Sequence, residues 1–199
     1  MPRHTLQRIG IFGGTFNPPH VGHLIVAESV RESLNLDKIC FVPSYISPHK
    51  RKGEEGLATH RLRMVRLAIR NNTFFAVSDV EIRRKGTSYT FETLEALHAK
   101  YPDAKLFLII GIDNFAEFHT WKKPQRIAEL ATLVVMNRPM EPADVHRKRL
   151  NTVTKFTAVP DIQISSTEIR GRVKDGTSIR FLVPEPVRRY IILKKLYLK

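Results

Sequence analysis

An α/β fold built on a doubly wound, mostly parallel sheet is what this sequence predicts. Three observations carry that prediction. Short apolar segments of strand length alternate with segments of helical period, the pattern of successive βαβ units. The most apolar stretch, Leu106-Phe107-Leu108-Ile109-Ile110, has the character of a central strand covered on both faces. The densest group of glycine, histidine and proline falls between the first strand and the first helix, where an open parallel sheet receives its ligands.

Taken in order, residues 9–13 read as the first strand. Residues 23–34 form a helix, because Leu24, Ala27, Val30 and Leu34 recur at spacings of three and four. Residues 38–43 make a second strand ended by Pro43, and the polar segment 44–56, with Pro48, Gly53 and Gly56, is a loop expected to move. Over 58–71, Leu62, Val65, Ala68 and Ile69 supply a buried helical face, while Arg63, Arg66 and Arg70 lie on a solvated one. A third strand is expected at 74–77, a helix at 91–100 and the central strand at 105–110. Beyond Gly111 the chain passes Trp121 to a helix at 125–130 and a strand at 133–136. Residues 139–155 contain two prolines, mixed charge and little period, as a variable connection does. A last strand at 157–159, a short helix at 167–173 and a terminal helix at 186–198 complete the chain. The division expected is one domain over 1–199, with 165–199 as a small helical C-terminal subdomain.

Composition removes several classes of protein. With 199 residues and 42% apolar content the chain can bury a core, so wholesale disorder is excluded. A spanning helix needs about 20 apolar residues, far more than any run here. The opening residues lack the apolar region of a secretory signal, and with the single cysteine, Cys40, this makes a cytoplasmic address the expectation. Cys40 itself reads as a buried strand thiol. The 33 Lys and Arg outnumber the 19 Asp and Glu, for a net charge of +14. That excess is uneven, +5 over residues 1–145 and +9 over 146–199. Such a surface attracts polyanions without choosing among nucleic acid, acidic lipid and nucleoside triphosphate.

The chemistry is densest in Gly13-Gly14-Thr15-Phe16-Asn17-Pro18-Pro19-His20-Val21-Gly22-His23. Glycines let backbone approach an anion, and the following helix offers unpaired N–H groups and a positive dipole end. His20 and His23 lie three apart at that helix start, so both imidazoles can face one phosphate. The loop is neither a Walker A sequence nor a Gly-x-Gly-x-x-Gly dinucleotide fingerprint. A second segment, Ile164-Ser165-Ser166-Thr167-Glu168-Ile169-Arg170, offers Ser166 or Thr167 as a helix N-cap, with Arg170 one turn on, beside any anion held at the helix start.

The first of these segments resembles the signature of the nucleotidyltransferase superfamily whose motif ends in His-x-Gly-His, and the second resembles that superfamily's Ser-Ser-Thr-x-x-Arg segment. Further motifs are similar to those of the bacterial nicotinate-mononucleotide adenylyltransferases: Ser88-Tyr89-Thr90 with Glu92-Thr93-Leu94, Gly111-Ile112-Asp113, Trp121, Pro48-His49-Lys50 and Leu182-Val183-Pro184-Glu185-Pro186-Val187. The resemblance runs from Gly10 to about Tyr190 and is poorest over 140–155. It implies a Rossmann-like nucleotidyltransferase fold and adenylyl transfer from ATP to nicotinate mononucleotide, giving nicotinate adenine dinucleotide and pyrophosphate in NAD biosynthesis.

The resemblance also implies roles for particular residues. Gly13, Gly14, Thr15, Phe16, His20 and His23 would hold ATP, His23 lying nearest the α-phosphate. Thr167 and Arg170 would serve the β and γ groups, Ser166 would also bind ATP, and His20, His23 and Arg170 would carry the catalysis. Gly111 and Asp113 would meet the ribose, although Asp113 with Asn114 serves equally as a helix N-cap. His49, Lys50, Tyr89, Thr90 and Trp121 would hold the acceptor, Trp121 stacking on the pyridine ring. On residue type alone, Trp121 also suits a core position and Lys50 a solvated loop. Mg²⁺ is expected on the triphosphate oxygens, since the chain shows no dedicated carboxylate cluster. ATP and nicotinate mononucleotide are the implied partners, with no membrane, and a homo-oligomer is left open. Two alternatives remain: a sister adenylyltransferase for nicotinamide mononucleotide or another phosphate acceptor, and a basic nucleic-acid-binding protein, which predicts salt-sensitive, ATP-independent binding to duplex DNA.

Overall fold

The computed structural model describes residues 7–47, 57–137 and 154–198. Six strands lie in the order β3-β2-β1-β4-β5-β6. They are β1 (Arg8–Gly14), β2 (Lys38–Pro43), β3 (Phe75–Val77), β4 (Lys105–Gly111), β5 (Ala131–Asn137) and β6 (Thr154–Ala158). Every pairing is parallel. The chain builds outward from β1 through β2 to β3, then returns to β4 on the other side of β1. That reversal opens a crevice beyond the carboxyl ends of β1 and β4.

Alternation along the strands divides the core. Ile9, Ile11, Leu106, Leu108, Ile110, Leu133 and Val135 face one layer, packed by Phe91, Leu94 and Leu97 of α4 (Thr90–Lys100) and Ile127 of α6 (Pro124–Leu130). Phe12, Phe41, Phe107, Ile109 and Val134 face the other, against Ala27 and Val30 of α1 (Val21–Ser33) and Val65 and Ile69 of α2 (Ala58–Ile69). The central strand β4 is thus covered on both faces, as its unbroken apolar run requires. Glycine at position 10 lets the side chains of Ile39 and Leu36 pack onto β1, since a Cβ there would stand 2.6 Å from Ile39 Cδ1 and 2.9 Å from Leu36 Cδ1 and displace both. Burial pushes the Cys40 thiol up to about 11, which leaves it an inert core group. The predicted arginine row is solvated: Arg63, Arg66 and Arg70 are exposed.

A third apolar cluster joins Met64 of α2 to Ile169 of α7 (Ser166–Lys174), to Val187 and Ile191 of α8 (Glu185–Leu193), and to Leu196. Here two expectations need correction. The N-cap of α7 is neither Ser166 nor Thr167 but Ser165, whose hydroxyl accepts from the Glu168 N–H at 3.0 Å. This frees the Ser166 hydroxyl for another partner. The terminal helix ends at Leu193 rather than continuing to 198, because Lys195 and Tyr197 adopt positive φ of 48° and 66°. The reversal buries Leu196 and carries the Tyr197 hydroxyl back to the first loop. Three short helical pieces were not expected: α3 (Val80–Arg84), α5 (Ile112–Ala116) and a 3-10 turn at Phe118–Thr120. Each is too short to show a hydrophobic period. Among the described residues no helix is long and apolar enough to cross a membrane.

Candidate active site

The loop after β1 closes on itself before α1 begins. Phe16 is buried and takes a positive φ of 50°, and the Asn17–Pro18 peptide is cis. A Cβ on residue 14 would lie 2.9 Å from the Phe16 ring, so Gly14 is what lets that ring tuck under the loop. The ring packs edge-on against His23 with centroids 5.0 Å apart. His20 is the N-cap of α1, and its imidazole stacks on that of His23 with ring centroids 3.6 Å apart.

One hydrogen bond defines what His23 can do. The backbone N–H of His20 donates to His23 Nδ1 at 3.1 Å. In the neutral ring the proton must then reside on Nε2, which becomes a donor. Burial holds His23 down to about 3, with the charge of His20 acting the same way, and burial alone holds His20 down to about 4. Both rings are therefore neutral near pH 7.

A pH dependence of stability follows. Between pH 6.5 and these lowered values the unfolded chain binds protons that the folded rings refuse, so the contribution of these two rings to stability is full above pH 6.5 and declines as pH falls towards about 3. Thermal unfolding followed downward from neutral pH checks this. Replacing His23 by Asn is expected to make that decline shallower.

Two distant segments brace the loop. Arg61 of α2 is fully buried and donates through Nη1 to the carbonyls of Thr15 (2.8 Å) and Ser44 (2.6 Å), and through Nη2 to that of Tyr45 (3.0 Å). From the C-terminal side, Ser166 Oγ donates to the Pro18 carbonyl at 2.8 Å and Arg170 Nη1 to the Asn17 carbonyl at 2.8 Å. Arg170 Nη2 also reaches Thr167 Oγ1 at 3.2 Å. The Tyr197 hydroxyl donates to Asn17 Oδ1 at 2.6 Å, and the Val21 N–H donates to the Leu182 carbonyl at 3.0 Å.

Beyond the strand ends lies a cavity of about 950 Å³. Gly13, Gly14, Thr15, Phe16 and His23 line one part of it, and Tyr89, Thr90, Gly111 and Trp121 line another. His20 sits behind His23. Ser166, Thr167 and Arg170 do not line the cavity but lie at the loop's edge. Asp113 is exposed within α5, whose N-cap is Gly111; Asn114 and Glu117 are the polar residues of that region that line the cavity. The N-cap expectation for Asp113 and Asn114 therefore fails. His49 and Lys50 lie outside the described residues.

Residue types had not pointed to Arg61, Glu81 or Lys122. The Glu81 carboxylate is buried in the cavity wall and accepts from Thr93 Oγ1 at 2.6 Å. Burial raises its pKa, opposed by hydrogen bonds from Thr93 and Ser88 and by the charges of Arg84 and Arg61. Arg61 did leave a signal, since an arginine stands on the helical face shared with Leu62, Val65 and Ile69. Glu81 sits on a five-residue helix with no such pattern.

Comparison with known proteins bears on the same features. The cytidylyltransferase-like family matches residues 11–172, a span that begins in β1 and ends inside α7. A probable nicotinate-nucleotide adenylyltransferase of Salinibacter ruber is 43% identical over 95% of this chain and 97% of its own. One of Desulfitobacterium hafniense is 42% identical over 96% of both chains. Among solved structures, the nicotinic acid mononucleotide adenylyltransferase of Plasmodium falciparum, complexed with NaAD, superposes with a TM-score of 0.78 at 19% identity, covering 96% of this chain and 97% of that one, a likeness of fold. Since the full-length relatives and the family match both span the histidine loop and the segment that braces it, the chain belongs to the nicotinate-nucleotide adenylyltransferases of the cytidylyltransferase-like family.

Proposed function

We propose that this protein transfers the adenylyl group of ATP to nicotinate mononucleotide, releasing pyrophosphate, as a step in NAD biosynthesis. The observation that carries the reading is that one cavity joins the His23 loop to an aromatic wall of Tyr89 and Trp121. An anion-stabilising half thus adjoins a half suited to a cationic pyridinium ring. An oxygen of the acceptor's 5′-phosphate attacks the α-phosphorus of ATP. The new P–O bond forms as the bond from the α-phosphorus to the bridging oxygen breaks, and pyrophosphate leaves with that electron pair. The attacking phosphate is largely dianionic at neutral pH, its second pKa being about 6, so no strong base is required. Alignment and charge stabilisation are what the protein supplies.

In this scheme the Nε2–H of His23 donates to an α-phosphate oxygen where negative charge develops. His20, stacked behind it, keeps its orientation. Thr15 and the backbone of Gly13 and Gly14 cradle the phosphates, with Thr167 and Arg170 at the loop's edge reaching the β and γ groups and Ser166 bracing the loop that holds ATP. Gly111 serves ATP from the cavity wall and Asp113, on the exposed side of α5, reaches the ribose from the cavity rim, while His49, Lys50, Tyr89, Thr90 and Trp121 serve the acceptor. Mg²⁺ fits a site whose phosphate-facing side chains are imidazole, hydroxyl and guanidinium: the ion would ride on the triphosphate oxygens and neutralise charge there. Among the described residues no group of three acidic, histidine or cysteine side chains could hold it alone. We place the reaction in the cytoplasm, and treat 1–199 as one domain with 165–199 as its helical subdomain, a division favoured by the separate apolar cluster of α7 and α8.

Pyrophosphate release from ATP and Mg²⁺ tests the reading when nicotinate mononucleotide, nicotinamide mononucleotide and no acceptor are compared. Strong preference for the acid form is the expected result. Equal release with both pyridine acceptors would favour the sister activity, and none from folded protein would overturn adenylyl transfer to pyridine nucleotides.

A further inference from the structure

We propose that Lys122 is a specificity-determining residue, whose ammonium pairs with the pyridine carboxylate of the acceptor and so favours the acid over the amide. The inference rests on the acceptor reading above and adds a residue to it. Lys122 lines the cavity next to Trp121, and its Nζ lies 3.9 Å from the centroid of the Tyr89 ring. It also lies 5.8 Å from that of Phe91. The face of Tyr89 thus holds this cation in the cavity wall beside Trp121, the ring on which a pyridine would stack.

The charges around the cavity make that placement consequential. Among the described lining residues the carboxylates are Glu81 and Glu117, and Lys122 is the only lysine or arginine. His23, with its pKa lowered to about 3, adds no positive charge at neutral pH. The charges of Arg84 and Arg61 act on Glu81, which leaves Glu117 as the lining carboxylate to act on the acceptor, and a pyridinium ring is welcome beside it and the face of Trp121, whatever its substituent. A carboxylate on that ring is not, unless a cation stands near it. Lys122 supplies one, and a neutral carboxamide gains nothing comparable from it. Backbone N–H groups of the neighbouring turns can donate to the oxygen of either substituent, so they discriminate less sharply than a full charge does.

The side chain is exposed, so its effect is that of a solvated charge pair. Lys122→Gln is expected to lower kcat/KM for nicotinate mononucleotide about fivefold more than for nicotinamide mononucleotide. Most of the change should appear in KM, because the contact is made in the ground state and the transition state alike. Lys122→Glu should enlarge the difference to about tenfold or more, since it replaces attraction by repulsion. Added salt should erode the acid preference of the unsubstituted protein more than that of Lys122→Gln. An equal fall with both acceptors, or no change with either in both variants, overturns the proposal. Failure of the unsubstituted protein to release pyrophosphate with either acceptor overturns the acceptor reading instead, so the two failures are distinct.

Discussion

His23→Ala is expected to lower kcat by about 10²–10³, the size found when one preorganised donor to a developing oxyanion is removed. The fold should survive. The structural losses are the bond from the His20 N–H to His23 Nδ1, a capping interaction costing about 1 kcal/mol, and the ring contacts with Phe16 and His20, all of which lie in the loop after β1 and the start of α1. Because the donor acts on charge that grows during the reaction, kcat should fall more than KM for ATP rises. Single-turnover pyrophosphate release, paired with a thermal unfolding curve, separates the two effects. Near-normal turnover in a folded variant would remove His23 from the reaction.

Arg61→Met should produce the largest loss of stability among single changes at this site, about 3 kcal/mol or more. The substitution strands three carbonyls, those of Thr15 and Tyr45 part-buried and that of Ser44 buried, and leaves a gap where the guanidinium was enclosed. It also removes a positive charge that acts on Glu81. For a chain of this length a loss of that size lowers Tm by roughly 6–12 °C. Arg61→Lys should recover only part of the deficit, because one ammonium lacks the fork that reaches three acceptors on two loops. A Tm within about 2 °C of the unsubstituted protein for Arg61→Met would mean the carbonyls find other donors.

The sheet was legible because β4 and β1 are apolar enough to need cover on both faces, and because α1, α2 and α4 repeat their apolar residues at helical spacing. The histidine loop was legible for a different reason: its residue types have few uses together except at an anion. What escaped has physical causes too. Five-residue helices such as α3 and α5 carry too few residues for periodicity. The N-cap of α7 fell one position early because three consecutive hydroxyl residues, Ser165 to Thr167, can each cap, and only the partner of Ser166 on Pro18 decides among them. The end of α8 was missed because lysine and tyrosine rarely take positive φ, and here the backbone does so where Tyr197 meets Asn17. Lys122 acts through contacts made by tertiary packing, which no local pattern encodes, whereas Arg61 left only its place on the apolar face of α2 as a sign.

The bonds that brace the first loop join residues 148, 153 and 180 positions apart. During synthesis, Asn17 and Pro18 emerge 148 to 180 positions before their partners Ser166, Arg170 and Tyr197. The sheet can pair while the loop is still unbraced, so secondary structure and catalytic competence should arrive at different times. In refolding, recovery of the far-ultraviolet signal would precede recovery of turnover, with docking of the last two helices as the event between them.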